Sequence, residues 1–132
     1  RRHLEDARTA AARIGRGIDL LDRDPDAARA FRVMNRAMQE QRARQEMIRG
    51  HLPAQDPTEQ RWRPFQLAFI LLSLSGIAEP ESDEREVADL LWFPTGGGKT
   101  EAYLGLIAFT LVLRRLRMTE GAGGGVAVIM RY

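Results

Sequence analysis

The fold prediction for this chain rests on the stretch ADLLWFPTGGGKT, residues 88–100. Its glycine-rich end contains Lys99, the single lysine in a chain with 20 lysine and arginine residues. An ammonium is compact enough to fit between the β- and γ-phosphates of a nucleotide, whereas a guanidinium is wide and forked. The retention of one lysine at this turn therefore predicts phosphate binding.

The residues around Lys99 supply the other parts of a phosphate-binding loop. Glycines 96–98 allow backbone N–H groups to turn toward an anion, and a following helix adds its N-terminal dipole. The hydroxyl of Thr100 suits Mg²⁺. The pattern is an incomplete P-loop, because Phe93 stands where the first glycine is expected. The predicted ATP ligands are Thr95, Gly96, Gly97, Gly98, Lys99 and Thr100, with Lys99 as the catalytic residue and Thr100 as the Mg²⁺ ligand.

The flanking segments predict an α/β fold. Residues 88–93 are a short apolar run, typical of a parallel strand that is buried on both faces. A long apolar helix is predicted to begin at Lys99 and to end with the arginines at 114–117. Residues 126–130 form a second apolar run after a glycine-rich break. Strand, P-loop, helix and strand together make a right-handed βαβ unit.

Residues 1–60 predict a helical N-terminal region. One helix covers the first 22 residues, and Asp24 caps a second helix in which Pro25 takes the first position. The second helix is predicted to run to Arg49, with Gly50 as its C-cap. A proline-containing loop at 51–61 then marks the predicted boundary to a region that covers 61–132.

The second helix carries two different faces. Phe31, Met34 and Met38 recur at helical spacing and are predicted to lie in the core. The other face is rich in arginine. It could follow a phosphate backbone, or it could be solvated and paired with Glu40 and Glu46.

A third helix is predicted to open at Pro64 and to end at Gly76. Gln66 at its start is a candidate adenine ligand, since one amide can both donate to and accept from a base edge. The alternative is a glutamine that satisfies the backbone of its own helix. Arg63 and Phe65 are both candidates to stack on the base.

Two further polar features receive no chemical role. The acidic connector at 78–86 is predicted to be a solvated loop. Glu101, in the first turn of the helix that follows the glycines, is predicted to interact with the helix dipole.

The composition narrows the class of protein. A length of 132 residues with 44% hydrophobic residues suits one globular domain. The chain has no cysteine, and its two histidines are far apart, so neither disulfides nor a thiolate metal site is expected. No stretch suggests a signal peptide or a membrane span, which predicts a cytoplasmic protein. Because a two-stranded sheet cannot bury both its faces, the chain is expected to open a longer polypeptide.

The stretch Pro-Thr-Gly-x-Gly-Lys-Thr at 94–100 resembles motif I of superfamily-two helicases and translocases, and Arg-Pro-x-Gln at 63–66 resembles their Q motif. Within this superfamily, residues 30–38, 62–71, 89–104 and 128–132 resemble the large helicase subunit of the bacterial DISARM anti-phage system, the DrmA type.

The resemblance implies an ATP-driven DNA translocase that restricts phage DNA together with a DISARM partner subunit. It implies that 61–132 is the start of a RecA-like ATP-binding domain, with the remaining catalytic motifs beyond Tyr132. Hydrolysis by these 132 residues alone is then not expected. In related helicases the loop after the second strand touches the nucleic-acid backbone, which makes Arg131 a candidate phosphate contact.

Two other interpretations remain open from the sequence. One is a P-loop ATPase of the signalling or assembly type with no nucleic-acid partner. The other is a helical scaffold in which the glycines form a flexible linker.

Overall fold

Helices account for the regular structure of this protein. The computed structural model describes residues 2–50, 56, 59–94, 96–118 and 124–131. Within these ranges lie four α-helices, namely α1 (Arg2–Arg23), α2 (Pro25–Gly50), α3 (Pro64–Ala78) and α4 (Lys99–Arg117), and a 3-10 turn at Asp83–Glu86. No helix in this part of the chain is long and apolar enough to cross a lipid bilayer.

The helix boundaries follow local signals in the sequence. The carboxylate of Asp24 accepts hydrogen bonds from the N–H groups of Asp26 and Ala27, at 2.9 and 3.0 Å, and thereby caps α2 as predicted. The start of α4 at Lys99 and its basic last turn are also confirmed. The predicted end of α3 at Gly76 is wrong, because this helix continues to Ala78.

The core is formed by residues from all four helices. Met34 is fully buried, and Phe31 and Met38 pack against the core from partly buried positions, which confirms the predicted apolar face of α2. The central cluster consists of Leu20, Ala27, Ala30, Met34, Ile70, Leu74, Ala78, Phe109 and Leu113. The proposed boundary at 51–61 stays a prediction, and helices from both sides of it share this core.

The predicted α/β fold with its βαβ unit is wrong, because the described residues contain no strand and no sheet. Segments 88–93 and 126–130 lack regular structure. Their apolar side chains lie largely in solvent: Leu90 is 90% exposed, Trp92 81% and Ile129 87%. An apolar run becomes a buried strand only where other chain segments pair with its edges and cover its faces. The described residues provide neither a paired edge nor a covering layer for these two segments.

The acidic connector at 78–86 is not the solvated loop that was predicted. The side chain of Glu84 is only 8% exposed and accepts from Arg13 at 3.3 Å and from Arg16 at 2.6 Å. Arg13 is buried in α1 and also binds Asp89 through two hydrogen bonds of 2.5 and 2.7 Å. A buried guanidinium requires anionic partners, and the connector supplies one of them and the segment at 88–93 the other. The hydrogen bonds that Arg13 donates to Asp89 raise the pKa of Arg13 against the opposing effect of burial. This cluster attaches both the connector and the start of the segment at 88–93 to α1.

Candidate nucleotide-binding site

The predicted phosphate loop lies at the N-terminus of α4. Gly98 is the N-cap and has the left-handed backbone conformation, with φ of 92°. A Cβ atom at this position would also lie 2.7 Å from Nε2 of Gln66, so only glycine fits without strain. Lys99 and Thr100 form the first helical positions. The structure thus brings together Gly96, Gly97, Gly98, Lys99 and Thr100, while Thr95 lies outside the described residues.

The first turn of α4 is suited to an anion. The leading N–H groups of an α-helix have no acceptor within the helix. At α4 the N-cap is a glycine, and among the described residues no side-chain cap bond replaces the one that a glycine cannot make. Uncapped N–H groups and the positive end of the helix dipole favour a negatively charged ligand at this position.

The ammonium of Lys99 lies over the same loop. Its Nζ donates to the carbonyl oxygen of Phe93 and, at 3.2 Å, to that of Pro94. The N–H of Gly97 also donates to the Pro94 carbonyl, at 3.1 Å, closing a tight turn. The ammonium is therefore held against the backbone of the loop, in an exposed position. Thr100 is exposed beside it.

Gln66 connects α3 to this loop. Its Oε1 accepts from the backbone N–H of Arg63 at 2.9 Å, and its Nε2 donates to the carbonyl of Gly98 at 2.7 Å. The first bond is the helix-start role that the sequence left open as an alternative. The second bond was not predicted. Adenine recognition by Gln66 stays a prediction, now with the amide positioned at the edge of the phosphate loop.

The structure separates the two candidate stacking residues. The ring of Phe65 stacks on that of Phe93, with centroids 3.9 Å apart and an interplanar angle of 11°. Arg63 instead lines a cavity next to the loop and donates from Nη1 to the carbonyl of Gly97 at 2.9 Å. Of the two, Arg63 is the one placed to meet a ligand beside the glycines.

The cavity beside the loop has a volume of about 340 Å³. Its walls come from α2, from the segment before α3 and from the loop, with Gln66, Gly96, Gly98 and Glu101 at the loop side. This volume is within the usual range for small-molecule sites, on the order of 300–1,000 Å³. Four of its described lining residues are arginines, against one acidic residue. The basic lining residues are Arg42, Arg49, Arg61 and Arg63. Such a lining favours an anionic ligand.

Glu101 joins α4 to α2 across the cavity. Its carboxylate lies 3.5 Å from Nη1 of Arg42, whose Nε donates to Glu46 at 2.8 Å. The hydrogen bond from Arg42 lowers the pKa of Glu46. Glu101 occupies the first turn of α4 as predicted, but its partner on α2 was missed. Helical periodicity identifies the faces of α2, and it gives no signal for which other helix a face meets.

The remaining predicted contacts lie away from the cavity. On α2, Arg36 and Arg44 pair with Glu40 at 3.2 and 3.7 Å, so the solvated and paired interpretation of the basic face is confirmed for these residues. Arg131 is exposed in the segment after α4 and does not line the cavity. Its contact with nucleic acid stays a prediction.

Comparison with known proteins finds similarity to a DISARM protein. The DISARM protein DrmA of Bacillus paralicheniformis is 45% identical over 142 aligned residues, which cover 99% of this chain. The chain spans 13% of the length of that relative. No protein-family model matches the sequence, and no solved structure matches it. The predicted resemblance to the DrmA type is confirmed.

Proposed function

We propose that the loop at 93–100 binds the phosphates of ATP, and that this chain is the ATP-binding segment of a DNA helicase or translocase in phage defence. The observation that carries the proposal is the placement of Gly98, Lys99 and Thr100 at the uncapped N-terminus of α4, with the Lys99 ammonium over the loop. N–H groups, helix dipole and ammonium then act on one anion.

The backbone N–H groups, Lys99 and Thr100 each have a distinct role in this proposal. The N–H groups of the first turn of α4 donate to phosphate oxygens. The Lys99 ammonium exchanges the carbonyls of Phe93 and Pro94 for the β- and γ-phosphates. The exposed hydroxyl of Thr100 is available to the Mg²⁺ that accompanies ATP. The cavity lined by Arg63 and Gln66 is continuous with the loop and has room for the rest of the nucleotide.

Hydrolysis needs more groups than the described residues bring together. Phosphoryl transfer requires a carboxylate that holds Mg²⁺, a group that orients water and an arginine that stabilises the developing charge. The described residues contain no cluster of three or more acidic or histidine side chains suited to a metal ion. We therefore propose that the 132 residues bind ATP without hydrolysing it at a useful rate.

The biological setting of the proposal comes from the similarity to the DISARM protein DrmA. It supports a role in the anti-phage system that the resemblance to the DrmA type implies. DNA is the proposed substrate for translocation, and another DISARM subunit is the proposed partner.

The test is a calorimetric titration of the chain with Mg·ATP. We expect Lys99→Ala to weaken binding at least tenfold, since it removes the charge that faces the phosphates. Arg115→Ala is the matched control, because it removes an exposed cation from the opposite end of α4. Unchanged affinity in Lys99→Ala would support the glycine-linker scaffold instead. In a longer protein that contains this chain, an ATPase activity that DNA does not stimulate would favour a signalling or assembly ATPase.

A further inference from the structure

A carboxylate lies beside the proposed phosphate loop, where its charge opposes an anion. Glu101 is in the first turn of α4 and lines the cavity. Its Oε2 lies 3.3 Å from the position that a Cβ atom on Gly98 would occupy, so the carboxylate is next to the N-cap of the helix. The N–H groups proposed to bind the phosphates follow directly after this N-cap. Like charges this close repel each other, and an unpaired Glu101 would therefore weaken phosphate binding.

The opposite charge comes from Arg42 of α2. Its Nη1 lies 3.5 Å from Oε1 of Glu101, and its side chain also lines the cavity. Among the described residues, no other cation lies within ion-pair distance of this carboxylate. The side chains of Arg42 and Glu101 are 40% and 24% exposed, so both charges are accessible from the cavity. The pair thus sets the local charge beside the loop.

A second carboxylate holds Arg42 in this position. The Nε of Arg42 donates to Oε1 of Glu46 at 2.8 Å, and Gln60 donates to Oε2 of the same carboxylate at 3.2 Å. The contact with Glu101 is made by Nη1, so one guanidinium serves both acidic residues. The position of the positive charge relative to the loop is therefore set by α2, which the sequence assigns to a different region from the loop.

We propose that Arg42 raises the affinity of the loop for a polyphosphate by neutralising Glu101, so that α2 controls how strongly the loop binds the phosphates of a nucleotide. This inference rests on the proposed binding of ATP phosphates by the loop. Arg42 is a positioning residue in this arrangement, because it acts through Glu101 and not by touching the ligand. Lys99 and the helix N–H groups attract the phosphates, and Arg42 cancels the charge that opposes them.

The experiment measures the binding of Mg·ATP and of inorganic tripolyphosphate by calorimetry. We expect Arg42→Gln to weaken both about tenfold, because it leaves the charge of Glu101 uncompensated. Adding Glu101→Gln to this variant should restore both affinities to within about twofold of the unaltered chain, since neither position is then charged. Glu101→Gln alone should bind both probes at least as tightly as the unaltered chain, and it provides the test if Arg42→Gln does not fold.

Arg36→Gln is the matched control. Arg36 also lies on α2 and pairs with Glu40 at 3.2 Å, but it does not line the cavity. Its substitution removes one positive charge, as Arg42→Gln does, and should leave both affinities unchanged.

Ionic strength gives a readout that a structural defect would not produce. Raising it from about 0.1 to about 1 M shortens the Debye length from about 10 to about 3 Å. The ratio between the affinities of the unaltered chain and of Arg42→Gln should therefore shrink with added salt. A ratio that stays constant would contradict an electrostatic role.

The outcomes separate this inference from the proposed function. If Arg42→Gln binds like the unaltered chain, or if Glu101→Gln does not restore the affinity that Arg42→Gln loses, Arg42 does not act through Glu101 and the inference is overturned. Weaker tripolyphosphate binding by Glu101→Gln alone overturns it as well. In each of these cases, a loss of both affinities in Lys99→Ala leaves the phosphate loop standing. If neither probe binds to the unaltered chain, the proposed function fails and this inference with it.

Discussion

The side-chain amide of Gln66 donates from Nε2 to the carbonyl oxygen of Gly98 at 2.7 Å. The same amide accepts from the N–H of Arg63 at 2.9 Å. One planar group thus holds the start of α3 and the N-cap of α4 in a fixed relation, using both its donor and its acceptor. Because Gly98 precedes Lys99, the orientation of the phosphate loop depends on α3.

Gln66→Glu tests this connection. A glutamate of similar shape can still accept from Arg63, but its carboxylate cannot donate to Gly98 and faces a carbonyl oxygen instead. We expect the free energy of unfolding to fall by about 1–3 kcal/mol, and the affinity for ATP to fall about tenfold, which is about 1.4 kcal/mol. Urea denaturation and calorimetry measure the two effects.

Ser73→Ala is the control for Gln66→Glu. It removes a hydrogen bond from Ser73 Oγ to Phe69 within the same helix, at 2.8 Å, and should change stability by about 0.5 kcal/mol or less. A Gln66→Glu variant with unaltered stability and ATP affinity would show that the bond to Gly98 does not hold the loop.

Gly17 is the point of close approach between α1 and α3. A Cβ atom on Gly17 would overlap with the backbone carbonyl of Leu71. We expect Gly17→Ala to lower the free energy of unfolding by about 1–3 kcal/mol, because the helices must move apart. Gly15→Ala provides the contrast: nothing lies within 4 Å of its Cβ position. That substitution should stabilise the protein by up to about 1 kcal/mol through helix propensity. Equal effects in urea denaturation would contradict the predicted close contact.

Interactions between near neighbours in sequence were predictable in this chain. The cap at Asp24 involves residues two and three positions further on, and the start of α4 follows directly from the glycines. Each depends on backbone geometry within a single turn, which residue type largely determines. The same holds for the turn formed by the glycines at 96–98, which are contiguous.

Interactions between distant segments were not predictable. The apolar run at 88–93 has the composition of a buried strand, but burial depends on whether other segments cover it, and here Leu90 and Trp92 are exposed. Asp89 binds Arg13 across 76 residues, and Arg42 binds Glu101 between two helices. Composition and periodicity do not specify partners at such separations. For this reason α2 was missing from the predicted site.

The pair of Arg13 and Asp89 should be a major source of stability. Arg13 is 9% exposed, and its guanidinium binds both carboxylate oxygens of Asp89 as well as Glu84. Arg13→Ala leaves Asp89 without its cation and leaves Glu84 with Arg16 alone, and we expect a loss of about 3 kcal/mol in urea denaturation. Arg13→Lys should recover only part of this, because an ammonium cannot make the two parallel bonds.

Arg16→Ala is the control for this cluster. Arg16 also contacts Glu84, but its side chain is 51% exposed, so its loss should cost about 1 kcal/mol or less. If Arg13→Ala and Asp89→Ala are additive in the double variant, the two residues do not stabilise each other and the prediction is wrong.

Asp24 should make stability depend on pH in the acid range. Burial raises the pKa of this carboxyl, but hydrogen bonds from the N–H of Ala27 and the guanidinium of Arg117 outweigh it, so the folded-state pKa is lowered. Its stabilising effect is then complete above the ordinary aspartate pKa of about 4 and is lost as the pH falls through the lower, folded-state value.

Asp24→Asn can still cap α2 but carries no charge for Arg117. We expect this variant to be less stable than the unaltered chain by about 1 kcal/mol at pH 7, and the difference to shrink below pH 4 in urea denaturation. At pH 7, Asp22→Asn, at an exposed position, should change stability by less than about 0.5 kcal/mol. A difference for Asp24→Asn that stays constant down to pH 2 would show that the Asp24 charge does not stabilise the fold.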